Sequence, residues 1–354
     1  MKTTPLRRDS CRLLLAFACA ASLLATSGCQ RGSRRAEYGY VAAVQVNLRD
    51  RVAPVFNKTG TVSNGERVEI VERSRNGRFV RVRSPRDEEG WMEQRYLTNQ
   101  TIFETFQTMA AENAAWPAQA RALTRTSLNM HAEPKRESPH LYQLKEGEKV
   151  ELLKRAVAEK LPVKTTPIEE EAEEPPASIL EDWWLVRNSA QHTGWVLGRM
   201  LDIEAPIEVA QYAEGQRIIG CFVVNQVEDN GKSIPQYVML LSEPRDGEPA
   251  DFNQVRVFTW NSKRDRYETA YRERKIAGML PLQTGFQEFD KEGRLPVFTL
   301  LVKDSSGNTG PVTYKLNGVM VRKLPSPEEV AKVAAKAALA AKPRVPGSLP
   351  VRRE

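Results

Sequence analysis

Histidine and cysteine are scarce in this 354-residue chain, with three of the first and four of the second. The histidines are His131, His140 and His192, and neither His-x-His, His-Glu-x-x-His nor Cys-x-x-Cys occurs, so the ligand spacings of a zinc site are missing. A cysteine or serine hydrolase needs a base beside its nucleophile. No histidine follows His192, and Cys221 sits inside the apolar run 218–224, where a buried core thiol is expected. The phosphate loops of nucleotide enzymes are missing too, because Gly215, Gly220, Gly307 and Gly310 lack the necessary lysine and helix. No metal and no cofactor is therefore expected. Carboxylate-pair glycosidase chemistry stays open in a chain with 45 acidic residues, although no pair stands out among them. The excess of positive charge is small, +7, and the Lys and Arg are scattered, so nucleic acid is not an implied partner.

Long hydrophobic runs are also few. The N-terminal one, residues 13–26, spans 14 residues, short of the roughly 20 that a transmembrane helix needs. It follows Lys2, Arg7, Arg8 and Arg12 and precedes small residues, which is the layout of a secretory signal over residues 1–28. The segment Ala25-Thr26-Ser27-Gly28-Cys29 resembles the lipobox of bacterial lipoproteins, although Thr26 stands where that family usually has Leu. The resemblance implies lipidation of Cys29 by diacylglyceryl and palmitate-type chains, which leaves Cys221 alone and the mature fold without an internal disulfide. Gln30, instead of Asp, after the cysteine points to the outer membrane, facing the periplasm. A plain signal peptide cut elsewhere, or a retained anchor, is the alternative.

What the chain has is an internal repeat. Val46-Asn47-Leu48-Arg49 aligns with Leu128-Asn129-Met130-His131, and the segment from Gly65 aligns with that from Gly147, both at an offset of 82. Phe79 to Arg83 aligns with Trp183 to Arg187, Gly90-Trp91 with Gly194-Trp195, and Tyr96-Leu97 with Met200-Leu201, at an offset of 104. The second copy thus carries a 22-residue insertion, within about 156–181, rich in Glu and Pro and expected to be a disordered loop.

Each copy consists of short alternating runs between Gly, Asn, Ser and Pro signals, the pattern of a small antiparallel barrel. Both copies, 41–98 and 123–203, resemble bacterial SH3 domains, on Asn47, Arg49, Gly65, Phe79, Gly90, Trp91, Tyr96 and Leu97 in the first. The second retains Asn129, Gly147, Trp183, Gly194, Trp195 and Leu201 but has His131 and Met200 where the family has Arg and Tyr. The resemblance implies recognition of peptidoglycan stem peptides or of protein segments in the envelope. Strand alternation puts Val80 and Val82, and Trp184 and Val186, on one face, the expected core. Phe79, Arg81, Trp183 and Leu185 then share the other face. There Trp183 either covers the barrel rim or packs on the linker helix, or else lines a ligand groove, as the SH3 resemblance implies, with Asp182 beside it as a partner for a basic group. Phe79, Trp183 and Asp182 are the candidate ligand-binding residues.

Between the copies, residues 99–122 contain Ile102, Phe103, Phe106 and Met109 at helical spacing, with Thr101 and Glu104 as a capping box and Pro117 as a stop. A helix packed on a neighbouring barrel is expected. Residues 204–324 read as a third, mostly β domain of no recognised family, with turns at Asp229-Asn230-Gly231, Ser306-Gly307-Asn308 and Asn317-Gly318. The turn at Asp290 and Glu292 is expected to be solvated and not a calcium loop, because Arg294, Leu295 and Pro296 stand where further oxygen ligands would be needed. Ser326 and Pro327 open an Ala-rich C-terminal helix followed by a basic, Pro-rich tail, residues 325–354.

The chain is therefore expected to be a mainly β, exported, lipid-anchored and non-enzymatic binding or scaffold protein of the cell envelope. Its two SH3-like barrels stand in tandem before a C-terminal β domain. The alternative is an envelope enzyme or enzyme subunit of the cell-wall hydrolase type, with a carboxylate site in the C-terminal domain.

Overall fold

The computed structural model describes residues 36–160, 179–326 and 329–332. Cys29 and the signal segment, the middle of the insertion and most of the Ala-rich tail lie outside the described residues.

The chain is mainly β. Its first unit runs β1 (Glu37–Val41), β2 (Gln45–Arg49), β3 (Lys58–Ser63), β4 (Arg67–Arg73), β5 (Phe79–Arg83), β6 (Glu89–Glu93) and β7 (Leu97–Thr98). The strands are ordered β3-β2-β6-β5-β4-β1-β7, with antiparallel pairing throughout. Period-2 alternation turns Val46, Leu48, Val62, Val68, Val80, Val82 and Met92 into one sealed cluster. The second unit runs β8 (Ala120–Thr124), β9 (Leu128–His131), β10 (His140–Leu144), β11 (Lys149–Lys160), β12 (Ile179–Asn188), β13 (Thr193–Leu197) and β14 (Leu201–Ile203). Its order, β10-β9-β13-β12-β11-β8-β14, repeats the first unit strand for strand. Each unit begins a strand before its repeated motif, at Glu37 and at Ala120.

The insertion departs from expectation at both ends. β11 and β12 extend far past their counterparts, pairing Arg155↔Trp184 through to Lys160↔Ile179. Residues 156–160 and 179–181 are therefore ordered hairpin arms, because each strand supplies the backbone partners the other needs. The remainder, 161–178, lies outside the described residues.

The linker helix α1 (Gln100–Asn113) forms as its spacing implies, but the cap is Asn99, whose side chain accepts from the Ile102 amide at 2.9 Å. Thr101 is thus inside the helix, and Glu104 accepts from Gln100 at 2.8 Å instead of closing a capping box. At the other end Arg187 donates to the carbonyl oxygens of Asn113 and Ala114 at 3.3 and 2.9 Å, where cations suit the helix dipole. Phe103 stacks on Tyr40 of the first unit, with centroids 3.9 Å apart. The fully buried Phe106 meets Tyr142 of the second edge-on at 5.6 Å. The helix is the bridge between the two repeats.

A short helix α2 (Ile207–Ala210) leads into the third unit. This is a seven-stranded meander of β15 (Arg217–Asp229), β16 (Lys232–Ser242), β17 (Phe252–Asn261), β18 (Arg266–Phe289), β19 (Gly293–Lys303), β20 (Thr309–Asn317) and β21 (Met320–Lys323), paired in chain order. The first turn is tight because Asn230 and Gly231 both adopt positive φ, 50° and 75°. β16 is buried on both faces: Val238 and Leu240 join the main core, while Met239 and Leu241 pack with Val209 of α2. The main core is continuous across all three units, running from Tyr40 through Phe106, Met130 and Trp184 to Val255 and Phe298. At the turn before β19, Glu292 accepts from Lys315 at 2.6 Å, so its carboxylate holds a side-chain cation. Ser326 and Glu329 form a reciprocal capping box at the start of the tail, the Ser326 amide donating to Glu329 at 2.7 Å and the Glu329 amide to Ser326 Oγ at 3.1 Å.

Candidate functional site

The repeat places Phe79 on β5 and Trp183 on β12 at equivalent positions, and the structure treats them oppositely. Val80 and Val82 point into the core as alternation requires. Phe79 is half-buried on the outer face. The Arg49 guanidinium lies 4.2 Å from the ring centroid of Phe56 and 5.8 Å from that of Phe79, and the Arg78 guanidinium lies 5.7 Å from Phe79. β2 carries Arg49 opposite Trp91 of β6, and Trp91 is also half-buried. Phe56 arrives on the 50–57 loop, which Asp50 closes by accepting from the Asn57 amide and side chain at 2.9 and 3.1 Å. Hydrogen bonds from Arg51 and Asn57 hold the Asp50 carboxyl at about 2. The same loop presents Val52 and the largely exposed Val55.

The charges sharpen this arrangement. Arg73, Arg81, Arg83, Arg86 and Arg95 of the first unit each have a carboxylate partner. Arg49, Arg67, Arg75 and Arg78 have none among the described residues, and of these Arg49 and Arg78 converge on the Phe79 ring. Two cations thus stand on aromatic faces with guanidinium N–H groups free, which suits a carboxylate placed beside a planar or apolar group. Phe56 was not among the sequence candidates. The signal that marks it is an aromatic in an otherwise polar loop flanked by Asp50, Arg51 and Asn57.

In the second unit the equivalent surface is closed, and the structure corrects the groove expectation there. Trp183 is 1% exposed and Trp184 4%, so both faces of β12 are interior. His131, which replaces Arg49, meets Trp183 edge-on at 5.4 Å. Arg136, on the segment that follows β9, grips the buried Glu181 at 2.8 and 2.6 Å and draws that segment across. Asp182 is not available to a ligand either. Its carboxylate accepts from Arg155 at 2.7 Å, from Arg217 at 2.9 Å and from the Gly247 amide at 3.0 Å, tying the second unit to the third. Of the three candidates only Phe79 presents surface.

The other chemistry-bearing groups are spoken for. Cys221, expected in the core, is only half-buried beside the Val209 cluster, and the desolvation there pushes its thiol up to about 12, which keeps it protonated near neutrality. Burial lowers the pKa of His131, His140 and His192 from the ordinary histidine value, and His192 stacks on Tyr142 at 3.6 Å. Among the described residues, no group of three or more His, Cys, Asp or Glu is placed to hold a metal ion.

Comparison with known proteins agrees with this geometry in one region. Residues 44–98 match the bacterial SH3 domain family, so the unit that carries Arg49, Phe56 and Phe79 is a bacterial SH3 domain. No curated protein matches the chain. Among solved structures, an NlpC/P60 family protein from Bacillus cereus ATCC 10987 is similar at 9% identity and a TM-score of 0.23, covering 83% of this chain and 96% of that one. NlpC2 from Trichomonas vaginalis is similar at 10% identity and a TM-score of 0.17, covering 83% and 93%.

Proposed function

We propose that the protein is a non-catalytic binding module of the cell envelope, and that its ligand is a carboxylate-bearing peptide, from peptidoglycan or an envelope protein, held on the first unit. The observation that carries this reading is the pair of unpartnered guanidiniums, Arg49 and Arg78, resting on Phe56 and Phe79 within a bacterial SH3 domain. Phe79 and Phe56 supply the apolar walls and the arginines the charge. The second unit, which repeats the strand order of the first, is a further SH3-like barrel given over to structure: its outer face anchors α1 and the C-terminal meander. On this reading residues 1–28 direct export, and acylated Cys29 anchors the chain in the envelope membrane, facing the periplasm.

A pull-down on purified peptidoglycan, run beside a muropeptide-release assay, tests the proposal. Capture without release, lost in Arg49→Gln, supports the module. Release of muropeptides would replace it with the enzyme reading. Cell fractionation of Cys29→Ser tests the anchor: the variant is expected to leave the membrane fraction or to accumulate unprocessed, and membrane-bound, normally processed variant protein overturns the anchor.

A further inference from the structure

The third unit holds a second candidate site, remote in sequence from the SH3 domain. A cleft of about 310 Å³ is lined by Glu214, Gln216, Glu243, Gln254, Arg274 and Lys275, among others. Two features of its backbone are unusual. Lys275 takes φ 62° and Glu214 φ 55°, the left-handed region that residues with a Cβ rarely occupy. The β17–β18 register also shifts between Gln254↔Arg274 and Phe252↔Gly278, so β18 bulges where it meets the cleft. Bulges of this kind re-aim side chains next to binding sites.

The side chains point to a ligand. Gln254 is 1% exposed, and its amide orientation is set: the oxygen accepts from Arg274 at 3.0 Å and from Arg272 at 3.4 Å, so the nitrogen faces away from them. That nitrogen has no partner, and neither does the buried side-chain oxygen of Gln216 in the same cleft. Buried polar groups are almost always satisfied, so an orphan donor and an orphan acceptor in one cleft call for an explanation. Both atoms are shielded from solvent, so an occupant reaches them only as the two side chains turn about their terminal torsions, which for Gln254 exchanges a hydrogen bond from Arg272 or Arg274 for one to the occupant. Charge narrows the occupant further. Arg272 and Arg256 are committed to Glu214 at 2.8 Å each, and their hydrogen bonds hold its carboxyl below the usual range. Lys275 has no ion-pair partner among the described residues, and Arg274 reaches Glu214 only at 3.8 Å.

We propose that this cleft binds the C-terminal end of a peptide, with the free carboxylate on Lys275 and Arg274, the last amide N–H donating to the Gln216 oxygen, and the preceding carbonyl accepting from the Gln254 nitrogen. A dianion such as phosphate fits less well, because Glu214 and Glu243 stand at the same rim. This site is independent of the proposed SH3 ligand face.

Isothermal titration of the protein with N-acetyl-alanyl-alanine tests it, beside the C-terminal amide of the same dipeptide and inorganic phosphate. The acid is expected to bind, with affinity at least tenfold above the amide and above phosphate. Lys275→Gly, which removes the charge and suits the left-handed backbone, is expected to weaken acid binding at least fivefold without lowering the thermal midpoint, and Gln254→Glu to do so by opposing the carboxylate. The titrations are run in the Phe79→Ala background, which disables the proposed SH3 ligand face, so that binding read there belongs to the cleft. Equal binding of acid and amide, preference for phosphate, or an unaltered affinity in folded Lys275→Gly overturns the proposal. Absence of acid binding in the Phe79→Ala background assigns any wild-type signal to the first unit and overturns it as well.

Discussion

The Arg155 guanidinium donates to the Asp182 carboxylate at 2.7 Å with the side chains only 3% and 4% exposed, and the same arginine bonds the Glu248 and Ala250 carbonyl oxygens of the third unit. Residues at the base of the extended hairpin thus fasten the second unit to the meander. Removing one charge of a buried pair strands the other, which costs about 3–5 kcal/mol, whereas exchanging both for apolar groups is often neutral. Asp182→Ala is therefore expected to lower stability by about that amount in urea unfolding, and Arg155→Met plus Asp182→Leu to recover only part of the loss, because Arg155 also serves Asp251 and two carbonyl oxygens and Asp182 also serves Arg217. An Asp182→Ala protein of unchanged stability would contradict the role assigned to the pair.

Phe79 and Val80 are neighbours on one strand with opposite duties. Phe79→Ala is expected to reduce peptidoglycan capture at least tenfold while changing stability by less than about 1 kcal/mol, as expected of a partly exposed side chain. Val80→Ala is expected to cost about 2–3 kcal/mol, from two buried carbons and the cavity they leave, with capture retained by the folded fraction. Capture and urea midpoints measured on both variants check the assignment of faces.

Trp183 behaves differently from its counterpart. Trp183→Ala and Trp184→Ala are each expected to destabilise by about 3–5 kcal/mol, the cost of emptying a buried aromatic site. Native stability in Trp183→Ala would show that the closed outer face of β12 opens in solution.

Stability is expected to fall in mild acid for a reason that can be isolated. Burial lowers the pKa of His131, His140 and His192 in the folded chain below the ordinary 6.5, so the unfolded chain takes up protons first. Each contribution is present above about pH 6.5 and is lost as pH falls through the folded value. The lowered carboxylates, such as Glu181, begin to matter only below their ordinary 4.5. Urea midpoints between pH 7.5 and 5 are expected to decline, and His192→Gln to flatten part of that slope.

The Cys221 thiol, raised to about 12 from an ordinary 9, carries on the order of a thousandfold less thiolate at pH 8 than an exposed one, and thiolate is the reactive form. Labelling by a thiol reagent is expected to be slow by roughly that factor in the folded protein and fast in urea. Rapid labelling of the native protein would show that the half-buried side chain is shielded too little to hold the thiol protonated.

Much of the architecture was legible in the residues because it depends on local rules. Repeated Gly, Asn and aromatic spacings set turns and strand faces, and both seven-stranded units follow with the same order. The apolar stripe of α1 reads directly as a packing face. The turn at Asn230 and Gly231 reads as a hairpin. Each of these is decided within a few residues by backbone sterics or by side-chain alternation.

The site was legible only in part, because what covers an outer strand face is decided by chain far away. Alternation correctly put Phe79 and Trp183 on the same face of equivalent strands. It could not show that Arg136, Glu181 and His131 close that face in one copy, or that Asp182 is consumed by Arg155 and Arg217. Nor could it show that the insertion begins as paired strand on both sides, since a hairpin arm draws its stability from its partner and from the domain it reaches. The sequence by itself determined which strands exist and which way their side chains alternate; the tertiary structure decided which of two equivalent faces stays open to a ligand, because burial is a property of long-range packing and not of local pattern.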